Sequence, residues 1–130
     1  MDTVIMAAAV ADYRPADFSP QKIKKEKNNA GVALVKNPDI LAEMGKKKGA
    51  VLLVGFAAET ENLLANAQQK LEKKNVDLII ANDVTQPGAG FATDTNIVTL
   101  LYRNGKSEKL PRMNKEILAH RILDKIKGFL

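Results

Sequence analysis

The sequence predicts an α/β domain in which helices flank a mainly parallel β-sheet. Continuous apolar runs are typical of strands that are covered on both faces, and segments with apolar residues at helical spacing lie between them. The order strand, helix, strand, helix, strand indicates right-handed crossovers between parallel strands. The chain has 130 residues, of which 45% are hydrophobic. It is therefore long enough for one domain with its own core.

The N-terminal part of the chain is predicted to contain a buried strand, a loop and a hairpin. The apolar run TVIMAAAV (3–10) forms the strand, and DYRPADFSP (12–20) forms the loop because it contains two prolines. A β-hairpin follows over residues 22–35: its first arm is basic, NNAG (28–31) provides the turn, and VALV (32–35) forms the second arm. An isolated hairpin is marginal in water, so we expect this arm to need a partner surface.

The middle of the chain predicts two helices on either side of a strand. Pro38 is a favoured first helical residue and Asp39 suits the positive end of the helix dipole. A short helix is therefore predicted from Pro38 to about Gly45. A buried strand follows over residues 51–56. The helix predicted over 61–74 carries its apolar residues on one stripe, with charged residues opposite.

The last third of the chain begins with a third buried strand, VDLIIAND (76–83). Residues 96–110 predict a hairpin because an Asn-Gly turn at 104–105 separates two strand-like runs. The final helix covers residues 114–130, and Asn114 is suited to be its N-cap. Together these elements predict a Rossmann-like, mainly parallel sheet with flanking helices and a protruding β-hairpin arm.

The three buried strands lead into the same kind of sequence. AAAVAD, GFAAET and IAND each combine small side chains with an acid, which is Asp12, Glu59 or Asp83 respectively. Ligands of open α/β sheets bind at the carboxyl ends of the strands, so this edge is the predicted site. Asp12 fits a ligand contact and a structural hydrogen bond about equally, whereas Glu59 is better explained as a residue near a helix cap.

Basic residues in several segments suit an anionic ligand. Lys22 lies on the basic arm, and Lys70 and Lys74 share one helix face because they are four residues apart. These three side chains either converge on a polyphosphate or belong to a solvated charge stripe. The lysines at 46–48 are assigned to a solvated charge stripe that also complements the helix dipole. The GAG at 88–90 lacks the spacing of a phosphate loop. The residues alone therefore predict a nucleotide or phosphometabolite site.

Composition narrows the classes of function. The chain has no Cys and one His, His120, so a thiolate metal site is excluded and His120 is expected on the surface. No apolar run is long enough to cross a bilayer, and the N-terminus lacks the pattern of a signal peptide. We therefore expect a cytoplasmic protein with no membrane partner. The net charge of +5 favours an anionic partner, but aromatic residues make up only 5%, which disfavours nucleic acid because few stacking platforms are available.

The ordered set AAAVADYRP, KIKK, KNPDIL, VGFAAET and IIANDV, followed by a helical tail, resembles the phosphopantothenate–cysteine ligase (phosphopantothenoylcysteine synthetase) family over nearly the whole chain. In bacteria this domain is usually the C-terminal half of a bifunctional coenzyme A biosynthesis flavoprotein, which implies a flavin-dependent decarboxylase domain upstream. The resemblance implies that CTP activates the carboxylate of 4′-phosphopantothenate as an acyl-cytidylate, and that the amine of cysteine then displaces CMP. The bacterial form uses CTP, whereas the animal form prefers ATP.

The resemblance also implies roles for individual residues. Ala9 and Asp12 hold the nucleotide, with Asp12 near the sugar or base. Lys22 reaches the phosphates and is the implied catalytic residue. Lys70 and Lys74 bind the triphosphate, which is accompanied by Mg²⁺. Further residues that approach the nucleotide are Pro38, Asp39, Ile40, Leu41 and Phe56.

The family's domain begins with a Gly-rich strand–turn–helix segment whose asparagine helps to bind the acyl intermediate, and residues 1–130 contain no counterpart of it. We therefore expect a single, partial CTP-binding ligase domain that needs this segment for full catalysis. The family is dimeric, which implies a homodimer through the arm at 22–35. A truncated, non-catalytic nucleotide-binding or dimerisation module is the alternative to a ligase, and a nucleic-acid-binding protein ranks third.

Overall fold

The computed structural model of the chain describes residues 2–22, 31–88 and 93–129. The strands within these residues are β1 (Thr3–Met6), β2 (Tyr13–Pro15), β3 (Leu34–Lys36), β4 (Leu52–Glu59), β5 (Leu78–Asp83), β6 (Thr95–Asn96), β7 (Val98–Tyr102), β8 (Ser107–Lys109) and β9 (Met113–Asn114). The helices are α1 (Ile40–Lys47), α2 (Leu63–Lys73) and α3 (Lys115–Lys127). None of these three helices is long and apolar enough to cross a membrane.

The main sheet has the strand order β1-β4-β5-β7-β8. β1, β4 and β5 are parallel to one another, whereas β7 runs antiparallel to β5 and β8 runs antiparallel to β7. The predicted α/β class with mainly parallel core strands is therefore confirmed. The predicted hairpin between β7 and β8 is also present. Gly105 supplies the positive φ of 83° in its turn, which glycine adopts without strain.

Helices cover the sheet on both faces, and β5 lies at its centre. Leu78 and Ile80 pack on one side against the buried residues of α3. Ile79 and Ala81 pack on the other side against the buried residues of α2. All four β5 side chains are 0% exposed. Burial on both faces explains why this strand is a continuous apolar run in the sequence.

The segment after β1 differs from the prediction. Tyr13–Pro15 forms β2 and pairs antiparallel with β3, so the prediction of a loop over 12–20 is wrong for these residues. Pro15 is tolerated because this sheet has only two strands, and a proline at its edge removes no bond from a central ladder. The end of the predicted arm over 22–35 belongs to β3, which pairs with β2. The basic first half of that arm falls mostly in residues 23–30, outside the described residues.

The first helix begins later than predicted, and the last begins where predicted. Asp39 is the N-cap of α1, and its carboxylate accepts a hydrogen bond from the Ala42 N–H at 3.0 Å. Pro38 therefore precedes the helix instead of opening it, because the carboxylate satisfies a free N–H of the first turn. Asn114 is the N-cap of α3, and its side chain accepts a hydrogen bond from the Glu116 N–H at 2.8 Å.

A partly buried cluster of charges lies at the amino ends of the parallel strands. Asp77 precedes β5, and its Oδ2 accepts a hydrogen bond from the Leu53 N–H at 2.8 Å. Its Oδ1 accepts hydrogen bonds from the Lys48 ammonium and, at 3.4 Å, from Arg103. The Lys48 side chain is only 10% exposed, so this lysine is not the solvated residue that the sequence indicates. Burial raises the pKa of Asp77, but the Leu53 N–H and Lys48 outweigh burial and hold the pKa below its ordinary value.

We predict that Asp77→Ala destabilises the protein by about 3–5 kcal/mol, because it leaves the buried Lys48 ammonium without its partner. Urea denaturation measures the free energy of unfolding. Glu43→Ala is the matched control, since Glu43 forms an exposed ion pair with Lys46 and exposed pairs contribute little. Equal losses of stability in the two variants would contradict the structural role of the Asp77 cluster.

Candidate functional site

A cleft of about 410 Å³ opens near the carboxyl ends of β1 and β4. Its walls come from the segment at 8–13, which follows β1, and the segment at 36–41, which leads into α1. This is the edge of the sheet at which α/β folds bind ligands. The cleft brings together seven of the residues expected to contact a nucleotide, namely Asp12, Pro38, Asp39, Ile40, Leu41, Phe56 and Lys74.

Three residues that were expected at the site do not line this cleft. Ala9 is exposed between Ala8 and Val10, which do line it. Lys22 is exposed and borders the part of the chain that the structure does not describe. Lys70 is held in an ion pair at the end of β4. Of the three lysines for which the sequence left convergence on a polyphosphate open, only Lys74 lines this cleft in the structure.

Asn37 holds the segment after β1 to the start of α1. β1 ends before the predicted 3–10 run does, and residues 7–12 are exposed. The side-chain N–H of Asn37 donates to the Ala11 carbonyl at 2.7 Å, and its backbone N–H donates to the Asp12 carbonyl at 2.8 Å. The sequence pattern did not assign Asn37 to the site. The feature that could have identified Asn37 is its place directly before Pro38 and the N-cap Asp39.

Helix α1 lies against the carboxyl end of α2 at very short range. A Cβ atom on Gly45 would lie 1.8 Å from the backbone oxygen of Lys74, so only glycine fits at this position. The Asn75 side-chain N–H donates to the Gly45 carbonyl at 2.8 Å. The Lys74 ammonium lies 3.0 Å from the Asp39 carboxylate. These contacts fix the start of α1, and with it one wall of the cleft.

Positive charge surrounds the Asp39 carboxylate in the cleft. Burial raises the pKa of Asp39, but the Ala42 N–H and Lys74 outweigh burial and leave the pKa below its ordinary value. Lys36 and Lys74 both line the cleft near the amino end of α1, where the helix dipole also favours an anion. This wall of the cleft is therefore suited to a phosphate group.

A second carboxylate is buried at the end of β4. Glu59 is 9% exposed and accepts hydrogen bonds from the Lys70 ammonium at 2.5 Å and the Asn66 side chain at 3.3 Å. Glu59 thus has the structural role that the sequence favoured, although its carboxylate binds side chains of α2 and does not cap a backbone N–H of that helix. Lys70 lies in the last turn of α2 and Lys74 is its C-cap, yet they pair with different carboxylates, Glu59 and Asp39.

The end of β5 carries one polar atom without a partner. The Oδ1 atom of Asn82 is buried and has no hydrogen-bond partner in the described part of the chain. A buried polar atom without a partner is costly, and a ligand donor at this edge would satisfy it. The Thr3 hydroxyl, at the amino end of β1, is also buried without a partner in the described residues. Asp83 differs, because hydrogen bonds from the Thr85 and Gln86 side chains lower its pKa and engage it in a local turn. The amide directly after the apolar run LIIA was the signal in the sequence.

The described residues contain no cluster of side chains that could hold a metal ion by itself. Among residues 2–22, 31–88 and 93–129, no group of three or more His, Cys, Asp and Glu side chains is placed to hold a metal ion. His120 is exposed on α3, as predicted. The cleft does contain the side chains of Asp12 and Asp39. Two carboxylates suit a Mg²⁺ ion that takes its other oxygen ligands from phosphates and water.

Sequence comparison relates the chain to proteins of pantothenate metabolism. Residues 1–130 match the family described as DNA/pantothenate metabolism flavoprotein C-terminal domain. The chain is 46% identical over 125 residues to the coenzyme A biosynthesis bifunctional protein CoaBC of Bacillus subtilis (strain 168), a match that covers 96% of this chain and 31% of that protein. The chain thus spans less than a third of the length of this curated relative.

Comparison of structures gives the same relationship. The crystal structure of the C-terminal domain of coenzyme A biosynthesis bifunctional protein CoaBC has a TM-score of 0.76 and 37% sequence identity, over 98% of this chain and 54% of that chain. A Cab2 mutant in complex with phosphopantothenate-cysteine has a TM-score of 0.61 at 23% identity, over 85% of this chain and 37% of that chain. This second likeness shows a shared fold.

We predict that Gly45→Ala destabilises the protein, although alanine is the better helix former by about 1 kcal/mol. The added Cβ would meet the Lys74 backbone oxygen at 1.8 Å, and overpacking typically costs about 1–3 kcal/mol. Gly31→Ala is the matched control, because a Cβ there meets no heavy atom within 4 Å. Thermal unfolding compares the two variants. A Gly45→Ala protein as stable as wild type would show that α1 does not need this close approach.

Proposed function

The chain belongs to the DNA/pantothenate metabolism flavoprotein C-terminal domain family, and from this membership we propose that it is the nucleotide-binding part of a cytoplasmic phosphopantothenate–cysteine ligase in coenzyme A biosynthesis. The observation that carries the proposal is the cleft at the carboxyl edge of the sheet. There, Asp12, Asp39 and Lys74 line one cavity beside the start of α1. The name of the CoaBC relative, at 46% identity, supports the pathway.

The proposed reaction has two steps. A carboxylate oxygen of 4′-phosphopantothenate attacks the α-phosphorus of CTP, and the bond from that phosphorus to the bridging oxygen breaks, which releases pyrophosphate. The amine of cysteine then attacks the acyl carbon, the bond to the CMP oxygen breaks, and the nitrogen loses a proton. The first step brings two anions together, so positive charge and positioning are the effects that lower its barrier.

The proposed roles follow from the places of the residues. Asp12, with Ala9 beside it, receives the sugar or base. The start of α1 and Phe56 complete that wall. Lys74 and Lys70 receive the outer phosphates, and Lys22 stabilises the charge that develops in the first step. A Mg²⁺ ion bound with the triphosphate neutralises phosphate charge, and the carboxylates of Asp12 and Asp39 are its available protein ligands.

The segment around β3 supports a homodimer. Val32 is 68% exposed and Leu34 is 58% exposed. Tyr13 of the paired strand is 57% exposed, so the small β2–β3 sheet presents apolar side chains to solvent. A second copy related by a two-fold axis offers the same side chains and covers both surfaces at once. Residues 22–35 are the proposed dimerisation arm.

The test of the ligase function uses the full-length protein. We expect release of pyrophosphate from CTP when 4′-phosphopantothenate is added, followed by release of CMP only after cysteine is added. Binding of CTP without either release would favour the alternative of a non-catalytic nucleotide-binding or dimerisation module. A parallel assay with ATP establishes the preferred nucleotide.

We predict that Lys74→Met and Lys70→Met weaken the binding of CTP more than that of CMP, because each ammonium is proposed to contact phosphates that CMP lacks. Loss of a hydrogen bond to a charged group costs about 1.5–3 kcal/mol, or roughly 10- to 150-fold in affinity. Calorimetry with the two nucleotides measures the difference. Lys73→Met is the matched control, since Lys73 lies exposed on the same helix. Equal losses for CTP and CMP would place the two lysines away from the outer phosphates.

We predict that Val32→Glu combined with Leu34→Glu converts a dimer into a monomer with low activity, because two buried charges cannot be accommodated in an apolar contact. Sedimentation of the full-length protein measures the oligomeric state. Ile117→Glu is the control, because Ile117 is 56% exposed on α3, away from the arm. A double variant that stays dimeric would show that the dimer contact lies elsewhere.

A further inference from the structure

We propose that Arg14 is a positioning residue of the cleft, because it fixes the orientation of the Asn37 amide, which in turn holds the backbone of Ala11 and Asp12. The inference deepens the proposed function and rests on it, since the cleft is the proposed nucleotide site. Arg14 does not itself line the cleft. Its effect on a ligand therefore passes through Asn37.

The geometry forms a chain of hydrogen bonds between three segments. Arg14 lies in β2 opposite Val35 of β3. Its Nη1 donates to the Asn37 side-chain oxygen at 2.9 Å and to the Lys36 carbonyl at 3.3 Å. The other end of the same amide donates to the Ala11 carbonyl at 2.7 Å. The guanidinium thus donates to the oxygen of the Asn37 amide, and the Ala11 carbonyl accepts from its nitrogen.

An amide has two orientations that differ by exchange of its oxygen and nitrogen, and Arg14 selects between them. With the oxygen toward Arg14, both contacts of the Asn37 side chain are favourable. With the amide reversed, its nitrogen would face the guanidinium donor and its oxygen would face the Ala11 carbonyl, so both contacts would be repulsive. A charged donor makes the favourable contact stronger than a neutral one would. Arg14 therefore reinforces the amide orientation in which the nitrogen of Asn37 faces the Ala11 carbonyl.

The orientation of the Asn37 amide affects the wall of the cleft that contains Ala11 and Asp12. Residues 7–12 are exposed and connect β1 to β2. The side chain and backbone N–H of Asn37 together tie Ala11 and Asp12 to the start of α1. Without Arg14 only the Ala11 carbonyl orients the Asn37 amide, so the first of these ties is weaker and the Asp12 side of the cleft is held less firmly. The phosphate side, at Lys74, keeps its own contacts with Asp39.

The test is Arg14→Met in the full-length protein, with Arg14→Lys as the conservative variant. We expect Arg14→Met to weaken CTP and CMP by a similar factor, roughly 5- to 30-fold, because the affected wall faces the part that both nucleotides share. Arg14→Lys should restore part of the affinity, since a single ammonium can still donate to the Asn37 oxygen. Arg121→Met is the matched control, because Arg121 is exposed on α3.

A double-mutant cycle separates positioning from a general structural role. Asn37→Ala removes the amide through which Arg14 acts, so Arg14→Met should cost little further affinity in that background. Additive losses would overturn the proposal, and so would a loss confined to CTP, which would mean a direct phosphate contact.

Hydrogen exchange without any nucleotide provides a readout that does not depend on the proposed function. The Asn37 backbone N–H, which donates to Asp12 at 2.8 Å, should exchange faster in Arg14→Met than in wild type, while the amides of β5 keep their protection. Unchanged exchange at Asn37 would overturn the proposal. If wild type binds neither nucleotide but exchange at Asn37 changes as expected, the positioning role stands and the proposed function fails.

Discussion

The position of α1 depends on a glycine. Gly45 has no side chain, so α1 approaches the backbone of Lys74 more closely than it could with any other residue at this position. This contact holds the carboxyl half of α1 against the end of α2, and the Lys74–Asp39 ion pair holds the start of α1 beside the cleft. Asn37, directly before the helix, then reaches the loop after β1. One wall of the cleft is therefore positioned by α2, and the opposite wall is positioned by α1 through Asn37.

The two lysines of α2 differ in how firmly they are held. Lys70 pairs with Glu59, whose side chain is 10% exposed, so removing the ammonium would leave a buried carboxylate uncompensated, at a cost of about 3–5 kcal/mol. Lys74 pairs with Asp39, whose side chain is 43% exposed, and water can replace that partner at little cost. Lys74 can therefore exchange Asp39 for a phosphate. Lys70 keeps its ion pair with Glu59, so a phosphate can contact it only at the position that this pair gives it.

The amino and carboxyl edges of the sheet differ in their polar groups. At the amino edge, the Asp77 carboxylate is bonded by a backbone N–H and two cationic side chains, so its charge is compensated and contributes to stability. At the carboxyl edge, Asn82 has a buried oxygen without a partner in the described residues, and the loop after β1 is exposed. The Thr3 hydroxyl at the amino end of β1 is also buried without a partner in the described residues, so it is the cleft and its exposed loop that mark the carboxyl edge.

The sequence by itself determined the α/β class, the apolar strands, the β7–β8 turn and the cap of α3, because each depends on side-chain periodicity or on neighbours within a few residues. It also pointed to the carboxyl edge, since small side chains followed by an acid recur after three strands. Only the tertiary structure decided which groups meet there. Lys70 and Lys74 have different partners, because Glu59 and Asp39 come from different segments. Asn37 contacts Ala11 although the two residues are far apart in the chain. Such contacts between distant segments depend on how the helices and loops pack together. The spacing of residues along one helix does not predict that packing.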